Sequence, residues 1–173
     1  MMKKRDILLA AGIVAVALLA VLFVSQRTGR VRIASPGVEL ELRGGLARRV
    51  TLRSGSEPSE IRAGTYRPTQ LTITQKRDGQ TWELQSRGPW GQLGRIAVVG
   101  GETTTIDVGA PLRVKPKVTR RRGQVFVGLS IYGQAGEKYR NTILRNGRRG
   151  SPPKVRIIDK AGNVLASGAF RYG

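Results

Sequence analysis

Histidine and cysteine are both absent from the 173 residues, which removes most familiar ways of building an active site. A Ser-His-Asp or Cys-His relay needs an imidazole, and ordinary zinc sites need imidazole or thiolate ligands. No glycine-rich loop ends in Lys-Ser or Lys-Thr, the pattern that cradles a nucleotide phosphate. Ser151-Pro152-Pro153-Lys154 has the S-x-x-K spacing of serine acyl-enzymes. That chemistry needs a helical turn to carry the lysine amine back to the serine hydroxyl, and two intervening prolines forbid the turn. Glu39 and Glu41 would share one face of a strand and could pair as carboxylates. Their apolar neighbours Val38, Leu40 and Leu42 instead make them the solvent face of an edge strand. Glu57 and Glu60 lie in a Ser/Pro-rich loop without the aspartate-rich spacing of a calcium site. The expectation is a protein that is not an enzyme, with no catalytic residue, no metal ligand and no cofactor. An envelope hydrolase using carboxylates or an unseen Ser/Lys pair is the alternative.

Charge is the stronger chemical signal. Thirty-one Lys and Arg stand against eleven acids, a net +20. The densest stretches are Arg113, Lys115, Lys117, Arg120, Arg121 and Arg122, and then Arg145, Arg148 and Arg149. Both fall in segments that read as loop or linker. A field of this sign favours anionic partners such as lipid headgroups, envelope polymers or nucleic acid. Specific nucleic-acid readout adds stacking platforms or a reading helix, and aromatics are only 5% of the chain and do not interleave with the arginines. These nine residues are therefore candidate polyanion contacts, with a diffusely basic surface as the competing account. Trp90, in Arg87-Gly88-Pro89-Trp90-Gly91, is either an exposed contact aromatic or a cap folded back on the core. Trp82 alternates with polar neighbours and is assigned to the core.

The elements that must position these residues begin with an address. Ile7 to Val24 is an unbroken apolar run behind the basic start Met1 to Asp6. Eighteen residues reach about 27 Å as a helix, close to a thin bilayer core of about 30 Å. A cleaved signal peptide has a shorter apolar core followed by a small-residue site. Ala15-Val16-Ala17 has that form, but Leu18 to Val24 continue apolar beyond it. The segment is read as an uncleaved signal-anchor, and a cleaved, exported protein is the alternative. Basic residues tie at three on each side (Lys3, Lys4 and Arg5 against Arg27, Arg30 and Arg32). The basic N-terminus favours a cytoplasmic tail with the large part in the periplasm or outside the cell. A membrane-tethered cytoplasmic module binding anionic lipid or nucleic acid is the inverse arrangement.

Beyond the run the periodicity is 2. Val38, Leu40 and Leu42, then Leu71 and Ile73, Trp82 and Leu84, Ile106 and Val108, Val125 to Ile131, and Val155 and Ile157 each alternate with polar residues. Such runs read as half-buried strands. Asp78-Gly79, Gly100-Gly101 and Asp159 to Asn163 supply the turns. Many short strands joined by glycine turns argue for a sandwich or barrel. Gly109 to Val118 has two prolines and reads as a linker or crossover.

Ala63-Gly64-Thr65-Tyr66, Asp78-Gly79 and Gly100-Gly101-Glu102 together carry a resemblance. Over about residues 60–109 the chain resembles the PEGA-like and carboxypeptidase-regulatory (transthyretin-like) β-sandwich modules of bacterial envelope proteins. The resemblance implies a non-catalytic surface or adaptor module, with no catalytic residues to carry over. The expected chain is all-β, one or two small β-sandwich domains behind a single N-terminal transmembrane helix. Its parts are a tail (1–6), the anchor (7–24), a linker (25–29), a sandwich (30–109), and a second unit or continuation (110–173). It would be a single-pass bacterial membrane protein that binds or scaffolds, with anionic envelope polymers, lipid headgroups or another envelope protein as partners.

Overall fold

The computed structural model of the protein describes residues 28–45 and 48–170. The apolar run Ile7–Val24 and the basic tail before it lie outside these residues. Among the described residues there is no α-helix, and no helix is long and apolar enough to cross a membrane. The fold is all-β, as the period-2 runs require.

Two sheets share one core. The smaller has β1 (Thr28–Ile33) at its centre, antiparallel to β4 (Ser59–Arg62) and parallel to β8 (Thr103–Ile106). The larger runs β13 (Arg148–Arg149), β12 (Ile143–Arg145), β6 (Gln80–Ser86), β5 (Gly64–Arg77), β2 (Val38–Gly44), β3 (Arg49–Arg53), with β7 (Ile96–Val98) also on β5. Alternation decides which side chains go inside. Val31 and Ile33 of β1, Leu40 and Leu42 of β2, Leu52 of β3, Leu71 of β5 and Leu84 of β6 are all buried in a single apolar cluster. Each fully buried leucine contributes roughly 1.5–3 kcal/mol relative to exposure. Asp78 and Gly79, both at positive φ (51° and 68°), close the tight β5–β6 hairpin. A 3-10 turn, Gly91–Gly94, buries Leu93 against the same cluster.

Three expectations are corrected here. β2 is not an edge strand: it is flanked by β5 and β3, so Glu39 and Glu41 lie on the outer face of a central strand. Glu39 accepts a bond from Arg53 Nε at 2.7 Å. Trp82 is not core. It is 37% exposed, near the tip of a hairpin whose outermost β5 residues, Thr74 to Arg77, are themselves exposed. Its ring is covered instead by the Arg145 guanidinium, 5.6 Å from the ring centroid. The basic stretches are strands and not loops. Arg113 to Arg121 form β9, and Arg145, Arg148 and Arg149 flank the β12–β13 turn. Pro111 lies before β9, and Pro116, the strand's one proline, sits on an outer strand edge, where its missing N–H costs nothing.

Beyond Gly109 the chain first leaves the core and then returns to it. β9 (Arg113–Arg121) and β10 (Gln124–Tyr132) form a long hairpin, and β11 (Lys138–Tyr139) pairs with the end of β10. Ile131, Ala135 and Tyr139 belong to the core cluster of the first 109 residues. β12 and β13 extend the larger sheet. β14 (Lys154–Ile158) and β15 (Val164–Ala169) make a separate two-stranded ribbon.

Candidate functional site

The long hairpin is amphipathic across its two faces. Its register sets Val114 opposite Ile131, Pro116 opposite Leu129, Val118 opposite Val127 and Arg120 opposite Val125. Paired residues share a face, so this face is apolar except at Arg120. The other face pairs Arg113 with Tyr132, Lys115 with Ser130, Lys117 with Gly128, Thr119 with Phe126 and Arg121 with Gln124. The sequence cluster of six cations is thus divided. Arg113, Lys115, Lys117 and Arg121 line one face, Arg120 points to the other, and Arg122 occupies the turn at φ 49°. Arg113, Lys115 and Lys117 are about 6.6 Å apart along the strand, and Arg121 follows about 13 Å beyond Lys117, past Thr119. Lys115 Nζ stands 5.2 Å from the Tyr132 ring centroid. Among the described residues no carboxylate forms an ion pair with any of these six.

The second cluster sits on the β12–β13 hairpin. Asn146 and Gly147, at φ 50° and 73°, make its turn. The Asn146 carboxamide accepts the Thr81 N–H at 2.8 Å and donates to Gln80 Oε1, which ties the turn to the neighbouring hairpin. Arg145 Nε donates to the same Gln80 oxygen at 3.2 Å. Arg145 and Arg148 stand directly across from each other, an arrangement of like charges that costs stability.

A buried lock fixes the base of the long hairpin. Glu137 is fully buried, and its Oε1 accepts the Gly109 N–H and the Tyr139 hydroxyl, each at 2.8 Å. Oε2 has no partner among the described residues. Burial, and then the Glu137 charge and hydrogen bond, push the Tyr139 hydroxyl far above its ordinary pKa, so it acts as a donor at any physiological pH. A Cβ on Gly133 would fall 1.9 Å from Glu137 Oε1; only glycine lets the carboxylate in. The sequence reading missed this pair. Its trace was an acid two residues before a tyrosine, in Gly136-Glu137-Lys138-Tyr139.

The remaining candidates do not gather into a site. Ser151 to Pro153 are not in regular structure, and Lys154, exposed, begins β14. Glu57 is exposed, and Glu60 accepts from the Thr28 hydroxyl. Trp90 is half-buried and packs on the core cluster, the folded-back arrangement. Ala63 precedes β5 and Gly64 to Tyr66 open it, Asp78-Gly79 is a hairpin turn, and Gly100 to Glu102 precede β8. Comparison with protein-family models, with curated proteins and with solved structures finds no match.

Proposed function

We propose that this chain is a membrane-anchored envelope protein whose basic β-domain binds or scaffolds an anionic partner and performs no chemistry of its own. The observation that carries the reading is the unpaired cationic row Arg113, Lys115, Lys117 and Arg121 on one face of a protruding ribbon. A solvated basic surface would scatter its charges, whereas this row sits on strands held at the base by a buried carboxylate. The anchor is the Ile7–Val24 run. Residues 25–27 separate it from β1 in the sequence. β1 carries the chain about 20 Å away from Thr28. The Ser35 hydroxyl then bonds Ala110 O at 3.3 Å, just before β9 begins. The basic ribbon therefore begins near the end of β1 farthest from Thr28. The resemblance of residues 60–109 to PEGA-like envelope modules supports this adaptor role.

The test has two parts. The full chain is expected in the membrane fraction after carbonate washing, with the β-domain cut by protease in spheroplasts. A mature N-terminus at Leu18 or later would overturn the anchor. Binding to an anionic polymer is expected to weaken steeply between about 0.1 M and 1 M salt, as the Debye length falls from about 10 Å to 3 Å. Neutralising Lys115, Lys117 and Arg121 together should weaken it more than neutralising Arg43, Arg49 and Arg67. Equal losses would reduce the charge to a diffuse field.

A further inference from the structure

The two hairpins beyond the core leave a gap between them. It is an open cleft of about 680 Å³ lined by Val125 to Leu129 of β10 and by Ala166 to Phe170 along β15, with Val155 and Ile157 of β14. The lining residues of β10 and β15 are consecutive, so the cleft runs along strand edges. A cleft lying over a sheet face would be lined by alternate residues.

Register shows what those edges present. The two-residue turn Arg122-Gly123 closes the bonded pair Arg121/Gln124. Bonded and non-bonded pairs then alternate up an antiparallel ladder, so the N–H and C=O groups of Val125, Val127 and Leu129 point away from β9. Two facts agree. Leu129 O accepts the Asn141 carboxamide at 2.8 Å from that outer side, and Pro116, with no N–H, faces Leu129 at a non-bonded position. On the second ribbon the Phe170 N–H bonds Pro153 O at 2.9 Å. The same alternation turns the backbone groups of Ser167 and Ala169 away from β14. No strand pairs with β10 along Gln124 to Ser130 on this side, nor with β15 on its outer side, among the described residues.

We infer that the cleft is a strand-addition slot, which takes one extended segment of a partner protein between β10 and β15. The guest would make the order β9, β10, guest, β15, β14 along Gln124 to Ser130 and join the two-stranded stretch of the β9–β10 hairpin to the β14–β15 ribbon in one sheet. Its composition follows from the two faces. One guest face continues the apolar row of Val127, Leu129, Val155 and Ile157, and the other continues the face of Phe126, one strand beyond which stand Lys117 and Arg121. The fitting segment alternates apolar and acidic residues. Charge argues against a second copy as donor: beyond Asp6 the chain carries 28 basic and 10 acidic residues, a net +18. The inference deepens the binding-module reading. It stands whether or not Ile7–Val24 is retained as an anchor.

The test uses the full chain in nanodiscs and fluorescent nine-residue peptides alternating Glu and Val. The Glu/Val peptide is expected to bind. A version N-methylated at alternate amides should bind about tenfold more weakly or worse, since slot carbonyls lose their donors. A Lys/Val version should also bind more weakly, with that difference shrinking at high salt. V127P deletes an outward N–H while sparing the bonds to β9, and should weaken the Glu/Val peptide with an unchanged unfolding midpoint. Equal binding of the parent and N-methylated peptides overturns the slot without recourse to any variant. Self-association abolished by V127P would assign the slot to a second copy. Peptide binding only after removal of residues 1–27 would assign it to the chain's own N-terminus. Either result overturns the partner strand. Loss of membrane retention with peptide binding intact would refute the anchor alone.

Discussion

Leu40 in β2 and Val118 in β9 occupy the same kind of position, an apolar residue in a period-2 strand. Leu40 is fully buried, while Val118 is 66% exposed. The difference lies in what stands opposite. β2 is paired on both sides, and its inner face meets a second sheet through the shared core. β9 is the outer strand of its hairpin, and Val114, Val118 and Val125 on its apolar face are all exposed. The β14–β15 ribbon repeats this, with Ile158, Val164 and Leu165 exposed. Isolated two-stranded hairpins are marginal in water, so these ribbons belong to the low-stability end of the molecule. Apolar surface that a soluble fold could have replaced with polar side chains, yet keeps exposed, points to an interaction.

The widest separation between the two regions should come from truncation. L71A removes a fully buried side chain and should cost about 2–5 kcal/mol in urea unfolding. V118A should stay within about 0.5 kcal/mol. A large loss at Val118 would mean that the ribbon's apolar face is already covered in the intact protein. G133A probes the joint between the regions. Its methyl must displace the Glu137 carboxylate from Gly109 and Tyr139, and overpacking of this kind costs about 1–3 kcal/mol. Hydrogen exchange should rise first along β9–β10, whose base that carboxylate holds. Uniform acceleration across the core would show that the lock serves the sandwich instead.

Alternation in the sequence was enough to identify the core strands, because Val38, Leu40 and Leu42 or Ile106 and Val108 place their large side chains on one side whatever the partner. It was not enough to say which strands find a second layer. Trp82 shows this: it obeys the same rule as Leu84 and still lies outside, because burial depends on where the opposing sheet ends. β9 was hidden for a different reason. Its proline and basic residues, with Pro111 just before it, imitate a linker, and only pairing with β10 shows that Val114, Pro116 and Val118 make one face. The nine basic candidates were visible by composition, but their division between faces is a matter of register. Glu137 left only the trace of an acid two residues before a tyrosine, which does not by itself distinguish a buried acid from the exposed ones.

A smaller effect is expected where two cations oppose each other. R148E would set an acid across from Arg145 and should stabilise the β12–β13 hairpin by roughly 0.2–1 kcal/mol. Arg145 should stay over Trp82, with its indole fluorescence unchanged. A destabilised variant would show that Arg148 already has a favourable role in the fold, and the like-charge pair would no longer mark a site kept for binding.

The finest separation is by pH, at the far turn of the second ribbon. Asp159 Oδ1 accepts the Ala161 and Asn163 N–H groups at 2.9 and 2.8 Å, and Oδ2 accepts the Asn163 carboxamide at 2.9 Å. Bonds from Asn163 hold its carboxyl below the ordinary value of 3.8. A folded-state pKa below the unfolded one adds stability that is complete above the unfolded value and is lost as pH falls through the folded one. The turn should therefore hold down to about pH 4 and loosen below it. The Ala161 and Asn163 amides would report this by faster hydrogen exchange than their intrinsic rates predict. Leu40 and Leu71, fully buried and paired to each other at the centre of the larger sheet, should keep their protection over the same interval. D159N keeps a carboxamide oxygen for the Ala161 and Asn163 N–H groups but has no proton to gain, so its turn should respond less to acid. If the turn and core amides of the wild-type chain lose protection together, the ribbons and the sandwich unfold as one unit, and the contrast between them fails.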